Sequence, residues 1–123
     1  LDTMVYRAEV IHNTKMIHDN IAVSRFEKES NNSVLVAAQA ADALLDINGI
    51  DASFVLTIND GKTHISGRSR GEVVSVQLIL EKIGGGGHLN MAGAQLDTTD
   101  LDEAEKILTE AIDEYLTDNK SEE

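Results

Sequence analysis

An α/β fold is predicted, a mixed β-sheet of about four to five strands flanked by helices. Three observations carry this expectation. Apolar residues recur at helical spacing in several separate stretches, β-branched runs lie between them, and Asn59-Asp60-Gly61 joins two such runs with turn chemistry. The resulting order of helix, strand, helix, strand, strand, helix, strand, helix suits a sheet covered by helices better than a bundle or a sandwich. With 123 residues and 41% hydrophobic content the chain can bury one core, and a single domain is expected.

Each element has its own reason. Residues 3–18 place Met4, Ala8, Ile11 and Lys15 at helical spacing, which predicts an amphipathic connector helix running into Asp19-Asn20. Ile21-Ala22-Val23 with Ser24-Arg25-Phe26 reads as a short strand. Ser30-Asn31-Asn32-Ser33 offers N-caps for a helix whose stripe is Val34, Ala37, Ala38, Ala41, Leu44 and Leu45, and Asn48-Gly49 tolerates the left-handed conformation at its end. The apolar run from Ala52 to Ile58 and the alternating run from Thr63 to Ser69 flank the turn and make a hairpin. From Val74 to Ile83, residues Val76, Ile79, Leu80 and Ile83 share a helical face with Ser75 as cap, and the glycines from Gly84 to Gly87 stop the helix. Met91 to Leu96 is a last strand. Asp100 caps a final helix with the stripe Leu101, Ala104, Leu108, Ala111, Ile112 and Tyr115, and the charged residues from Thr117 to Glu123 are expected to fray.

Composition narrows the function. There is no cysteine, which excludes disulfides and thiolate chemistry. The start at Leu1, with no basic-then-apolar leader and no apolar run near the roughly 20 residues that cross a bilayer, leads us to expect an excised soluble domain. Ten Lys and Arg against 22 Asp and Glu give a formal charge of −12, which disfavours long nucleic acid. Aromatic residues are 3% of the chain and Trp is absent, so generic single-strand stacking platforms are mostly missing. A small nucleotide in a local pocket remains compatible with both facts.

The segment Gly84-Gly85-Gly86-Gly87-His88-Leu89-Asn90-Met91-Ala92-Gly93 demands a reason, because four consecutive glycines lose more backbone entropy on folding than a turn requires. Successive N–H groups pointing into one concavity, with no Cβ to hold a phosphate away, supply one, and His88 would stand at the rim. A flexible helix stop with a surface histidine is the plain alternative. Ala92-Gly93 adds a second run of small residues where a ligand would approach the backbone. Cations are scarce, so Arg68 and Arg70 in Ile65-Ser66-Gly67-Arg68-Ser69-Arg70-Gly71 stand out. In a strand, Ser66, Arg68 and Arg70 share one face with Ser69 on the other, and a guanidinium there can hold a phosphate bidentately. Arg25 is a weaker candidate.

The remaining polar residues read as surface. His12 and His18 are six apart on one helix and cannot share a metal, a lone His18-Asp19 pair is not a ligand set, and His64 is expected to face solvent. The carboxylates of the last helix read as its solvated face. No nucleophile with a base and no cluster of metal ligands is found, so the chain reads as a binding half that is inactive alone, with no metal or catalytic residue of its own.

Gly85-Gly86-Gly87-His88 followed by Ala92-Gly93, with Ser66, Arg68 and Ser69 on the preceding strand, resembles the signature of the DHH-associated domain found at the C-terminus of DHH phosphoesterases. The resemblance covers roughly residues 20 to 118. Gly84, Val5-Tyr6-Arg7-Ala8-Glu9-Val10, Ile21-Ala22-Val23-Ser24 and Ala37-Ala38-Gln39-Ala40-Ala41-Asp42 resemble in particular the membrane-anchored bacterial cyclic di-AMP phosphodiesterases. It implies residues 1–20 as the connector from a DHH domain, 21–118 as the substrate-binding domain and 119–123 as a charged tail. It implies a DHH domain carrying two manganese ions, hydrolysis of cyclic di-AMP to pApA, and a cytoplasmic place in a membrane-anchored protein. It carries substrate contacts onto Arg68, Ser69, Gly84, Gly85, Gly86, Gly87, His88, Ala92 and Gly93. Met91-Ala92 departs from the family's pair of alanines. A half of an oligoribonuclease or phosphoadenosine-phosphate phosphatase stays open, as does an RNA-binding or oligomerisation module like that of alanyl-tRNA synthetases; homodimerisation through an apolar face stays open too.

Overall fold

The structure, a computed structural model, describes residues 8–27, 32–71 and 73–121. Residues 8–12 are helical (α1), and β1 (Lys15–Ile17), β2 (Ile21–Phe26), α2 (Ser33–Leu45), β3 (Ala52–Asn59), β4 (Lys62–Ser69), α3 (Val76–Glu81), β5 (Gly86–His88), β6 (Met91–Leu96) and α4 (Leu101–Ser121) follow. The strands form one six-stranded sheet in the order β1-β2-β3-β4-β6-β5, with β2 and β3 parallel and the other neighbours antiparallel. The mixed α/β class is as expected. The sheet has six strands rather than four to five because two three-residue edge strands, β1 and β5, close its ends.

Two apolar layers hold the helices to the sheet. Val10 of α1 and Val36, Ala37, Ala40, Ala41 and Leu44 of α2 pack on Ala22, Phe26 and Val55. On the opposite face α3 and α4 bury Ile79, Leu80, Leu108 and Ile112 against Ile21, Val23, Phe54, Leu56 and Ile65. A fully buried side chain of this size contributes about 1.5–3 kcal/mol through removal from water, so the two layers together hold the helices to the sheet. The stripe expected for α4 is buried as read, and Asp100 caps that helix by accepting from the N–H groups of Asp102 and Glu103 at 3.0 and 3.3 Å. Ser75 caps α3 by accepting from Leu78 N–H at 3.2 Å. The hairpin turns at Asp60 and Gly61, both at positive φ (53° and 73°), the geometry a two-residue turn requires.

Several local expectations are corrected. The connector helix does not run to His18: Lys15–Ile17 leave helical geometry to pair with Ile21–Val23, so an unpaired sheet edge overrides the apolar periodicity. Met4 lies outside the described residues. The turn into β2 holds His18 and Asp19 at φ 55° and 66°. α2 buries Val36 and Ala40 and leaves Val34 and Ala38 half exposed, a stripe rotated from the one expected. It begins at Asn32 without a side-chain cap, while Ser33 Oγ donates instead to the Ile58 carbonyl at 3.2 Å; Ser30 and Asn31 lie outside the described residues. α4 stays helical through residues 117–121, which were expected to fray; Glu122 and Glu123 lie outside the described residues.

Candidate functional site

The registers arrange the exposed sheet face beside α2 into three rows. Strand alternation puts Thr57, His64 and Gln95 in one row, Val55, Ser66, Gly93 and Gly86 in the next, and Ser53, Arg68, Met91 and His88 in the third. α2 covers the β3 end of these rows. At the β6 and β5 end Met91, Gly93, Gln95 and His88 are exposed. A cleft of about 440 Å³ opens there, within the range of small-molecule sites. Its floor is Ser66, Gly93 and Gly86, where no side chain is larger than serine. Val34 of α2 forms one wall, the residues from Gly84 to Gly86 another, and His64 and Gln95 close one end.

The four glycines separate into different tasks. Gly84 at φ +89° ends α3, and the N–H groups of Gly84 and Gly85 donate to the Glu81 and Leu80 carbonyls at 3.3 and 2.8 Å. Those two donors terminate a helix and are not free for an anion, which corrects the expected cradle of successive N–H groups. A Cβ on Gly85 would lie 2.4 Å from the Gly93 carbonyl oxygen, and one on Gly87 2.4 Å from that of Met91, so both are glycine because β6 lies against them. Gly86 differs from its neighbours. Its φ is not positive and a Cβ there would meet nothing within 4 Å, so neither backbone nor packing asks for glycine. What its missing side chain leaves free is the cleft. The run is therefore half helix stop and half strand, since Gly86–His88 pair with Met91–Gly93.

The other expected site residues divide by strand parity. Gly84, Gly85, Gly86 and Gly93 line the cleft, and Arg68 and His88 lie in the adjoining row. Arg68 Nε donates to Asp42 Oδ1 of α2 at 3.0 Å and its Nη1 to the Gly67 carbonyl at 2.9 Å, so the guanidinium is held in place with its side chain only 12% exposed. Gly87 and Ala92 face the opposite side, where Ala92 is buried in the α3 and α4 core. Ser69 is buried, its hydroxyl donating to the Leu89 carbonyl at 3.1 Å, and it anchors the β5–β6 turn. Arg70 Nη2 donates to the Leu45 carbonyl at the end of α2. Arg25 is far from the cleft: its hydrogen bond to Asp102 at 2.7 Å, with the added field of nearby carboxylates, raises its guanidinium pKa further.

Sequence reasoning missed the end of the cleft. His64, expected to face solvent, is half-buried and lines it with Gln95 directly opposite on β6. Nothing local signals this, because the pairing partner lies 31 residues away in the chain. Among the described residues no three His, Asp or Glu side chains converge as a metal-holding group. What the arrangement can do is hold a flat polar ligand on a smooth floor beside an oriented arginine and an exposed imidazole.

Known proteins share this chain's sequence and fold. The profile of the DHHA1 domain matches residues 18–118. The cyclic-di-AMP phosphodiesterase PdeA of Listeria monocytogenes serotype 1/2a is 40% identical over 116 residues, which cover 94% of this chain and 18% of that protein. The cyclic-di-AMP phosphodiesterase GdpP of Bacillus subtilis is 44% identical over 119 residues, again 94% of this chain and 18% of that protein. An exopolyphosphatase-related protein from Bacteroides fragilis shares the fold with a TM-score of 0.78 at 25% identity, over 92% of this chain and 34% of that one. The chain thus spans 18% of the length of these phosphodiesterase relatives. The resemblance carried by Gly85–His88 and Ala92-Gly93 is borne out over nearly the whole sequence, and the chain belongs to the DHHA1 domain family.

Proposed function

We propose that this chain is the substrate-holding domain of a phosphodiesterase that opens cyclic di-AMP to linear pApA. The observation that carries the reading is the floor of Ser66, Gly93 and Gly86, left bare at Gly86 without a backbone or packing reason, beside Arg68 and His88. The relatives that match 94% of the chain bear the names of cyclic-di-AMP phosphodiesterases. The two manganese ions of the reaction belong to a separate DHH domain, and no step here runs through them. What this chain's own residues do is bind and orient. The floor admits a flat part of the nucleotide, Arg68 presents its remaining donors to a phosphate oxygen from a position fixed by Asp42, and His88 offers a ring nitrogen at the rim.

Two halves that share one ligand act at high effective concentration, and this domain alone binds weakly and does not hydrolyse. A titration of the isotope-labelled chain with cyclic di-AMP and pApA, followed by NMR, is expected to shift Gly86, His88, Gly93 and the Arg68 side chain. Shifts confined to the α4 face would sink the assignment. In the two-domain enzyme, His88→Ala is expected to lower kcat/KM by about 10²-fold or more, as loss of a positioned polar group at a reacting phosphate does, with the unfolding midpoint unchanged because His88 is exposed.

A further inference from the structure

A polar row lies at the end of the cleft. Gln95 and His64 face each other across β6 and β4, both line the cleft, and neither side chain makes a hydrogen bond among the described residues. Thr57, the next residue of the same row, is fully buried and its Oγ1 also lacks a partner. Buried polar groups are ordinarily hydrogen-bonded, and Thr57 is a buried exception, while the half-buried His64 and the exposed Gln95 of the same row present their polar groups to the cleft, where a ligand can reach them.

We infer that Gln95, with His64 beside it, reads the base edge of an adenine nucleotide whose ring lies on the Ser66–Gly93–Gly86 floor and whose phosphate points toward Arg68. The inference rests on the nucleotide reading above and names the residues that choose the base. A glutamine amide offers one acceptor and one donor side by side, the complement of the N6 amino group and N7 of adenine, whereas guanine presents two acceptors there. Val34 supplies the apolar wall against the ring. Four residues of strand separate the His64 row from the Arg68 row, roughly 13 Å along β4, which sets base and phosphate at opposite ends of one groove.

The test is an NMR titration of the labelled chain with AMP and GMP, repeated for Gln95→Ala, a substitution at an exposed position that leaves both cores intact. AMP is expected to bind about fivefold or more tightly than GMP, and Gln95→Ala to bring AMP to the GMP level while leaving GMP unchanged. Equal affinities in the parent chain, with Gly86 and Gly93 shifting for both nucleotides, would overturn the inference and leave the nucleotide site standing. An adenine preference that survives Gln95→Ala would overturn it as well. If neither nucleotide moves Gly86 or Gly93, the nucleotide reading itself fails, and the base assignment with it.

Discussion

Gly85 and Gly86 are adjacent and chemically identical, yet their substitutions should have opposite consequences. A methyl group on Gly85 collides with the Gly93 carbonyl and the Ala94 side chain, both parts of a strand that packs on the core and cannot retreat. Gly85→Ala is expected to destabilise by about 1–3 kcal/mol, seen as a lower urea midpoint at unchanged m-value. A methyl group on Gly86 meets nothing, and it narrows the freedom of the unfolded chain. Gly86→Ala is expected to leave stability unchanged or raise it by about 0.4–1 kcal/mol while weakening nucleotide binding. Loss of stability without loss of binding at Gly86 would show that its bareness serves the fold.

Among the elements, the edges of the sheet depend on distant partners. β1 is only three residues long, and its place is secured from outside by Lys15 Nζ to Glu105 Oε2 at 3.0 Å and by His18 Nε2 with Asp113 Oδ1 at 2.7 Å, both on α4. These pairs are exposed and contribute little individually, but both pull the same strand toward the same helix. At the other end, α3 must present the glycine run, and α4 holds it there. The Ser75 N–H donates to Tyr115 Oη at 3.0 Å in a buried contact. Tyr115→Phe is expected to cost about 1–3 kcal/mol by leaving that donor unpaired, measurable by calorimetry. Lys82 adds a solvent-exposed clamp to Asp118 and Glu114, whose hydrogen bonds raise its pKa. With the folded value above the ordinary lysine value, its contribution is complete at neutral pH and is lost only as pH climbs through the raised value.

Across the whole molecule, a charge of −12 on 123 residues sets the electrostatic background. Lys15, Arg25, Lys62, Arg68 and Lys82 each lie within 4 Å of a carboxylate, so much of the positive charge is already neutralised and the acidic excess is left to repel itself. Self-repulsion destabilises a compact state and is screened as the Debye length falls from about 10 Å at 0.1 M salt to about 3 Å at 1 M. The melting temperature is therefore expected to rise with sodium chloride over that range. A falling Tm would show instead that the ion pairs outweigh the repulsion. Against the same background, the proposed anion binding falls to the local geometry of Arg68 and His88.

What the sequence by itself determined is what is written in short stretches of chain. The hairpin at Asp60-Gly61, the caps Ser75 and Asp100 and the stripe of α4 all depend on residues a few positions apart, and all are found as read. The family signature was legible for the same reason, because its glycines, histidine and second small pair are contiguous. Only the tertiary structure decided how Gly84 to Gly87 divide their tasks, that Ala92 faces the core with Gly87 on the same side of the sheet, and that Lys15–Ile17 form a strand. It also decided that α2 turns Val34 toward the cleft and that His64 meets Gln95. Each of these depends on which distant strand lies alongside. A glycine facing open space and one pressed against a carbonyl have the same side chain and differ only in the neighbour that folding brings to them.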